Sequence, residues 1–510
     1  MGLAQHLLSK SSFLKGVQCE KQLYLYKYHY EWMDEISSSQ QAVFKRGTDV
    51  GILAQGLFPS GVKGTEDPKK SEEAINRTHD LIEKGTNVIY EAAFEFNGIL
   101  IISDIIVKDG KRWNIYEVKS STSISETYLL DASIQYYVLK NSGLNIYDIS
   151  IVYINNQYIR QGELDINLLF SIESVKELVL EQQSLVESES NRLKTVLRQK
   201  EIPNVPIGVQ CFNPYQCSFY GTCWKDVPEY SVFDIANLKM EKKFELYNNG
   251  HVKFEDIPEE YKLNDKQRMQ VDCHIDNKMV FDKKAVKEFL SGIKYPIYFM
   301  DFETFMPAVP MFDNSKPYQQ IAFQYSLHYQ ENEDSRLEHY EFLADAEGDP
   351  RVPFITKLLE DTKGRGVILV FNQTFEITRL REIARDFPEF ADEIEKRINR
   401  VADLMIPFQK RYYYTPEMKG SYSIKYVLPA LVPEMSYDKL EIKEGGTASL
   451  AFESLYYEDD IFKREKIREN LLEYCKMDTR AMVEVFDNLK QGCIIKKTDN
   501  ILGNIRVMPA

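Results

Sequence analysis

Ile297-Tyr298-Phe299-Met300-Asp301-Phe302-Glu303-Thr304 decides how the second half of this chain is read. Four apolar residues run into two carboxylates spaced i, i+2. In a strand the side chains alternate between faces, so Asp301 and Glu303 point the same way. Like charges side by side at the end of a buried strand repel, and a divalent cation between them removes the repulsion. The stretch therefore reads as half of a carboxylate metal site, and such sites most often handle phosphate esters.

Around this stretch lie 510 residues, enough for two or three domains, with 44% hydrophobic and 12% aromatic content to build their cores. The 63 basic and 78 acidic residues leave a net charge of −15. That balance argues against a protein that grips nucleic acid by bulk charge, but not against a nuclease, whose groove needs only local positive charge. There is no apolar run of about 18 residues, so no membrane partner is expected. The segment Met1–Gly16 lacks the apolar core of a signal peptide. A cytoplasmic location follows as the expectation, with the seven cysteines as reduced thiols or metal ligands. No Walker-type phosphate loop occurs, which argues against an ATP-driven helicase in this chain.

The pattern of elements is α/β. Strands are expected at Asn97–Val107 and Arg112–Lys119 around a turn at Lys108–Lys111, and a helix at Glu126–Lys140 stopped by Asn141-Ser142-Gly143. A long helix is expected over Leu168–Lys200. The Lys- and Glu-rich stretch 228–292 reads as a small helical connector. Beyond it come strands at Tyr295–Glu303, Gln320–His328 and Val367–Phe371, then helices at Phe375–Phe387 and Arg464–Leu489.

A site with two metal ions needs about four converging carboxylates, because each ion keeps open positions for phosphate and water. Asp301 and Glu303 supply two. Glu376, in Asn372-Gln373-Thr374-Phe375-Glu376, supplies a third at a strand-to-helix turn. Asp478 supplies the fourth, with Tyr474 one helical turn before it on the same face. Asp403 is a further acid with weaker support. Lys410-Arg411-Tyr412-Tyr413-Tyr414, followed by Lys419, Tyr422, Lys425 and Tyr426, interleaves bases and aromatics as single-stranded nucleic acid requires. A hairpin filled by these tyrosines is the competing and preferred reading of that stretch.

The order D-x-E, N-x-x-F-acid and Y-x-x-x-D resembles the three motifs of the DnaQ-like (DEDD) 3′–5′ exonucleases, which use a ribonuclease-H-like sheet. The resemblance implies Mg²⁺ or Mn²⁺ on Asp301, Glu303, Glu376 and Asp478, with Tyr474 orienting water as in the tyrosine subclass. Glu376 departs from the family's usual aspartate by one methylene.

The first half carries its own acids. Asp104 lies mid-strand, and across the turn Glu117 and Lys119 share a face. Two carboxylates can hold one Mg²⁺, and a lysine beside them can position water. Asp131 and Gln135 stand i, i+4 on the next helix. Asp104, Glu117, Lys119 and Gln135 resemble the motif of RecB-like PD-(D/E)xK nucleases. The tyrosine that the family has four residues after the glutamine is Leu139 here, and Gly51 stands near the place of its histidine; Asp49 and Glu91 are the acids at hand to compensate. Cys19, Cys211, Cys217 and Cys223 resemble the one-plus-three arrangement of RecB-like nucleases that carry a 4Fe–4S cluster. A zinc site or unliganded buried cysteines are the alternatives, although C-x5-C-x5-C is wider than most zinc ribbons. Cys273, Cys475 and Cys493 read as ordinary thiols.

The whole chain resembles a bacterial family of uncharacterised proteins joining a RecB-like nuclease domain to a DnaQ-like exonuclease domain. The resemblance also rests on Tyr116-Glu117-Val118-Lys119-Ser120-Ser121 and Gly420-Ser421-Tyr422-Ser423-Ile424-Lys425. It implies a PD-(D/E)xK domain over 1–227 with its iron–sulfur motif, the connector 228–292, a ribonuclease-H-like exonuclease domain over 293–495 and a tail, 496–510. The expected function is metal-dependent hydrolysis of DNA phosphodiesters at two sites, in repair or in defence against foreign DNA. The alternatives are one live exonuclease site, on DNA or RNA, beside a nucleic-acid-binding module, and a non-enzymatic nucleic-acid-binding scaffold.

Overall fold

A computed structural model describes residues 8–494, apart from 66, 68 and 69, together with a two-residue strand at Ile505–Arg506. The expected tail, 496–510, otherwise lies outside the described residues. The fold is mixed α/β with three sheets in two compact units. Unit 1 comprises residues up to Asp226 together with Ala308–Tyr318; unit 2 comprises Val227–Pro307 and the chain from Gln319 onward. The expected connector, 228–292, is thus part of unit 2, and an eleven-residue segment far along the chain belongs to unit 1.

Unit 1 is built on seven strands: β1 (Leu8–Ser9), β2 (Val62–Lys63), β3 (Val88–Phe96), β4 (Ile99–Asp109), β5 (Arg112–Lys119), β6 (Ile146–Ile154) and β7 (Phe170–Ser174). The order is β2-β3-β4-β5-β6-β7, with β1 parallel to the start of β4. Asn97 and Gly98 both have positive φ and turn β3 into β4, so the expected strand starts two residues later, at Ile99. Gly110, with φ of 60°, turns β4 into β5. The helix Glu126–Asn141 then crosses to β6, which lies parallel to β5. That helix is buried continuously from Asp131 to Leu139, so its polar residues need partners inside the unit. The expected long helix over 168–200 is interrupted: Phe170–Ser174 pairs antiparallel with β6, and helices follow at Lys176–Glu181 and Gln183–Leu197. The demand of the β6 edge for backbone partners overrides helical propensity there.

The segment Ala308–Tyr318 is stitched into unit 1. The Arg160 guanidinium donates to Pro310 O and Met311 O, the backbones of Arg160 and of Asn314 and Ser315 exchange hydrogen bonds, and Gly162 N donates to Asp313. Ala308, Val309 and Tyr318 pack with Val50, Ala54, Val152, Ile154 and Phe170.

Unit 2 holds a small sheet and a large one. β8 (Met279–Phe281) is the middle of the small sheet. The large one contains β9 (Ile297–Phe305), β10 (Ile321–Gln330), β11 (Glu338–Leu343), β12 (Val367–Val370) and β13 (Val401–Asp403), in the order β11-β10-β9-β12-β13. β14 (Tyr413–Tyr414) and β15 (Ile505–Arg506) flank β8. In the large sheet β10 is antiparallel to β9 and β11, whereas β12 is parallel to β9 and to β13. Alternation along β9 sends Tyr298, Met300 and Phe302 into a core with Phe354, Ile355 and Leu380. Phe299 and Phe305 instead meet Phe486 and Phe452. Asp301 and Glu303 share that second face. The helix Ile461–Ile494 contacts β9 and β10 along it.

Candidate active sites

In unit 2 a bulge forms opposite the acid pair. Thr304 pairs with Ala322 and Glu303 with Gln324, leaving Phe323 without a partner in the ladder; such bulges re-aim side chains at sheet rims. Asn372 ends β12 in the left-handed region (φ 90°), which asparagine tolerates, and places Glu376 in the first turn of the helix Gln373–Asp386. Asp403 accepts from the backbone N–H groups of Asn372, Gln373 and Met405 at 2.9–3.1 Å. The acid that sequence offered as an extra ligand is therefore engaged in holding this turn. Tyr474 and Asp478 sit on the buried face of the helix Ile461–Ile494.

One oxygen each from Asp301, Glu303 and Asp478 lies within 4.8 Å of the others. Glu376 Oε2 is buried and has no hydrogen-bond partner. Burial raises all four carboxyls. Asp301 is raised further by Asp478, Glu303 by Asp301 and Asp478, and Glu376 by Asp301. Burial takes Asp478 only to about 6, against hydrogen bonds from Tyr437 and Tyr474 and the charge of Lys425. The orphaned oxygen and the mutual repulsion fit a hard divalent cation, which oxygen donors of this kind select.

Sequence reasoning brought Asp301, Glu303, Glu376, Tyr474 and Asp478 together and missed Tyr437. The Tyr437 hydroxyl donates to Asp478 Oδ1 at 2.6 Å, and its ring lies 6.3 Å from that of Tyr474. No spacing rule links residues 41 apart; a buried tyrosine seeking an acceptor was the only signal. Behind this face Thr479 bonds Ser326 and His328, fixing the helix on β10, and burial lowers His328 to about 3.

Of the basic–aromatic stretch, Arg411 and Tyr414 are interior. The Arg411 guanidinium donates to Gly420 O and Ser421 O and covers the Tyr414 ring, while the Tyr414 hydroxyl accepts from Gly420 N. Among the described residues the expected hairpin does not form, because β14 pairs with β8 from far earlier in the chain, but the interior placement of Arg411 and Tyr414 fits a packing role. Lys410 is exposed, whereas Tyr422 and Lys425 are half-buried. Tyr422 lines a cavity of about 560 Å³ with Asn237, Asn372, Met405, Lys419 and Ser421.

In unit 1, Glu117 and Asp131 are buried and give every oxygen to a donor of the chain. Lys119 Nζ lies 2.7 Å from Glu117 Oε1 and 2.5 Å from Asp131 Oδ2. Lys10 Nζ lies 2.7 Å from Glu117 Oε1 and 3.3 Å from Asp131 Oδ1. Gln135 Nε2 donates to Glu117 Oε2 and Asp131 Oδ1. Asp104 accepts from Val118 N at 2.7 Å, and burial beside Glu117 takes its carboxyl to about 7. Burial works against ionised Glu117, but Lys10 and Lys119 overcome it and hold the group well below the usual range.

Lys10, which sequence reasoning missed, stands at the start of the helix Lys10–Gln18, capped by Ser9. Gly51 has no side-chain function to offer there. Asp49 pairs with Lys45 on an exposed face, and Glu91 lies in β3 between the partners of Ile105 and Ser103, level with Asp104.

Cys19, Cys211, Cys217 and Cys223 line one cavity with Lys21 and Phe219. Burial raises Cys19, Cys217 (to about 12) and Cys223, and the thiols act on one another. Among the described residues no three of these sulfurs lie within 4.8 Å of one another. Four sulfurs on one zinc, at about 2.3 Å each, stand about 3.8 Å apart. The cradle is wider than that. Cys273, Cys475 and Cys493 are separately buried.

Residues 298–423 match the model of a domain of unknown function (DUF2779), a span that includes Asp301, Glu303, Glu376 and the basic–aromatic stretch as far as Tyr422 but ends before Lys425. The chain is similar to an uncharacterized protein of Ureaplasma parvum serovar 3, 26% identical over 242 residues, covering 43% of this chain and 35% of the relative. It is also similar to an uncharacterized protein of Mycoplasma genitalium, 27% identical over 228 residues, covering 40% of this chain and 33% of the relative. The matches thus span about a third of the length of these curated relatives.

Proposed function

We propose that this chain is a metal-dependent nuclease whose principal site lies in unit 2, releasing nucleotides from a 3′ end of DNA. The observation that carries the reading is the convergence of Asp301, Glu303 and Asp478 within 4.8 Å beside the unpartnered Glu376 Oε2. Asp301, Glu303, Glu376 and Asp478 would hold Mg²⁺ or Mn²⁺, which would supply Lewis-acid chemistry and activate water. Tyr474, next to Asp478, orients the attacking water, and Tyr437 fixes the Asp478 carboxylate. The acid pair on the central strand, flanked by an antiparallel and a parallel neighbour, supports the ribonuclease-H-like reading of this sheet. The test is Mg²⁺- and Mn²⁺-dependent release of mononucleotides from 3′- and 5′-labelled DNA and RNA by purified protein. Asp301→Asn should lower it by on the order of 10³-fold, and undiminished release from Asp301→Asn would refute the site.

For unit 1, the hydrogen bonds that join Glu117 to Lys119 and Gln135, with Asp104 on the neighbouring strand, support a RecB-like nuclease reading. The wide thiol cradle supports a 4Fe–4S cluster over zinc, holding the N-terminal helix to the chain around Cys211–Cys223; a colourless, zinc-loaded protein after anaerobic purification would exclude the cluster. A second reading, in which unit 1 binds nucleic acid without cutting it, is favoured by Lys10, whose ammonium takes carboxylate oxygens that a metal needs. Residual cleavage in Asp301→Asn that is lost on Lys119→Ala would reject this second reading.

A further inference from the structure

Lys425 reaches the acid centre of unit 2 from outside all three motifs. It is the second residue of the helix Ile424–Leu431. Its ammonium lies 5.5 Å from the centre of the Tyr437 ring and 5.3 Å from that of Tyr474. Its charge acts on Asp301, Glu303 and Asp478 alike. Nζ donates to Lys443 O at 2.5 Å, which anchors the stem and uses one of its three N–H groups. A lysine that only closed a loop would not need two aromatic rings to hold its charge against three carboxylates. A lysine that only gripped a distant phosphate would extend into solvent, where its charge is screened.

Hydrolysis of a terminal phosphodiester forms a bond from the water oxygen to phosphorus and breaks the bond to the 3′ oxygen of the preceding sugar. The attacking water gives up one proton to solvent, and the electron pair of the broken bond stays on the 3′ oxygen, which ends as a hydroxyl after taking a proton from solvent. Negative charge grows on that oxygen during the step, and a fixed cation within hydrogen-bond reach of it stabilises the transition state more than the bound substrate.

Resting on the exonuclease reading above, we propose that Lys425 is a catalytic residue whose ammonium hydrogen-bonds the departing 3′ oxygen and stabilises its developing charge. The experiment compares full-length wild type, Lys425→Met and Lys425→Arg with Mg²⁺ and with Mn²⁺ on two substrates. One is a single-stranded oligonucleotide. The other is the p-nitrophenyl ester of thymidine 5′-monophosphate, whose leaving group carries its charge without help. Lys425→Met is expected to lower kcat on the oligonucleotide about 10²–10³-fold and on the aryl ester less than about tenfold, with Lys425→Arg recovering part of the loss. Equal losses on both substrates, or a rise in KM with kcat unchanged, overturn the proposal and leave the nuclease reading intact. Should Lys425→Met fail to fold, Lys425→Arg decides: its ratio of oligonucleotide to ester turnover falls if the proposal holds, and an unchanged ratio overturns it. Wild type inactive on both substrates with either metal overturns the nuclease reading and this proposal together.

Discussion

In unit 1, Glu117 and Asp131 spend every carboxylate oxygen on Lys10, Lys119 and Gln135; in unit 2, Glu376 Oε2 has no partner, and four carboxyls crowd together with Lys425 at their side. Both centres are buried, and both are acidic motifs on a central strand and an adjoining helix. Their electrostatics differ because ammonium groups bond the carboxylate oxygens of the first directly, whereas in the second Lys425 donates to Lys443 O and acts on the carboxyls without an ion pair. A centre neutralised internally is stable as it stands, and a divalent ion must displace an ammonium to enter it. A centre of unneutralised carboxyls stays protonated or strained until a cation arrives.

The largest test of that contrast is Asp301→Asn. It should lower nucleotide release by on the order of 10³-fold while raising the melting temperature of metal-free protein, because one repelling charge is gone. A fall in melting temperature would mean that Asp301 is paired more strongly than this structure shows. Next is Lys10→Met, which leaves Glu117 and Asp131 one cation short. Breaking a buried pair from one side costs about 3–5 kcal/mol, less here because the Lys10 side chain is 25% exposed. Calorimetry should show unit 1 melting earlier without metal and recovering more on Mn²⁺ addition than wild type does. Equal Mn²⁺ responses would erase the distinction between the centres.

The pH dependence should have opposite signs. Asp478 binds its proton more tightly folded (about 6) than its ordinary value of 3.8. Its contribution to metal-free stability therefore falls as pH rises from about 4 to about 6, and saturating Mn²⁺ should flatten that slope. Glu117 is depressed, so its contribution is present above 4.5 and is lost as pH falls below it. Asp104, raised to about 7, follows the sign of unit 2 and should soften the contrast in unit 1. The smallest effect is Tyr437→Phe. Removing its hydrogen bond raises Asp478 further, so the acid limb of the rate profile should move to higher pH by about one unit or less; an unmoved limb would separate Tyr437 from the reaction.

Short-range pattern carried much of this. β5 begins and ends where alternation put it, and the helix after it differs by one residue at its end. Tyr474 and Asp478 share a helix face as their spacing required. What escaped is non-local. Lys10 meets Glu117 across 107 residues and Tyr437 meets Asp478 across 41, and no periodicity encodes either contact. Arg411 and Tyr414 mislead as a nucleic-acid signal because the same residue types also suit an interior pair. The strand β7 hid inside a helix-like leucine pattern, since edge pairing overrode propensity.

The segment Ala308–Tyr318 sets an order of events during synthesis. The ribosome finishes Asp226 long before it reaches Ala308, and at about 5–20 residues per second roughly 80 intervening residues take about 4–16 s. Through that interval Val50, Ala54 and Phe170 lack the side chains that cover them, and the Arg160 guanidinium lacks its carbonyls. β9, with Asp301 and Glu303, is made within the same interval. A fragment ending at Asp226 stays in that waiting state for good, with an apolar patch open to aggregation, so an assay on it alone would test an incompletely covered unit 1.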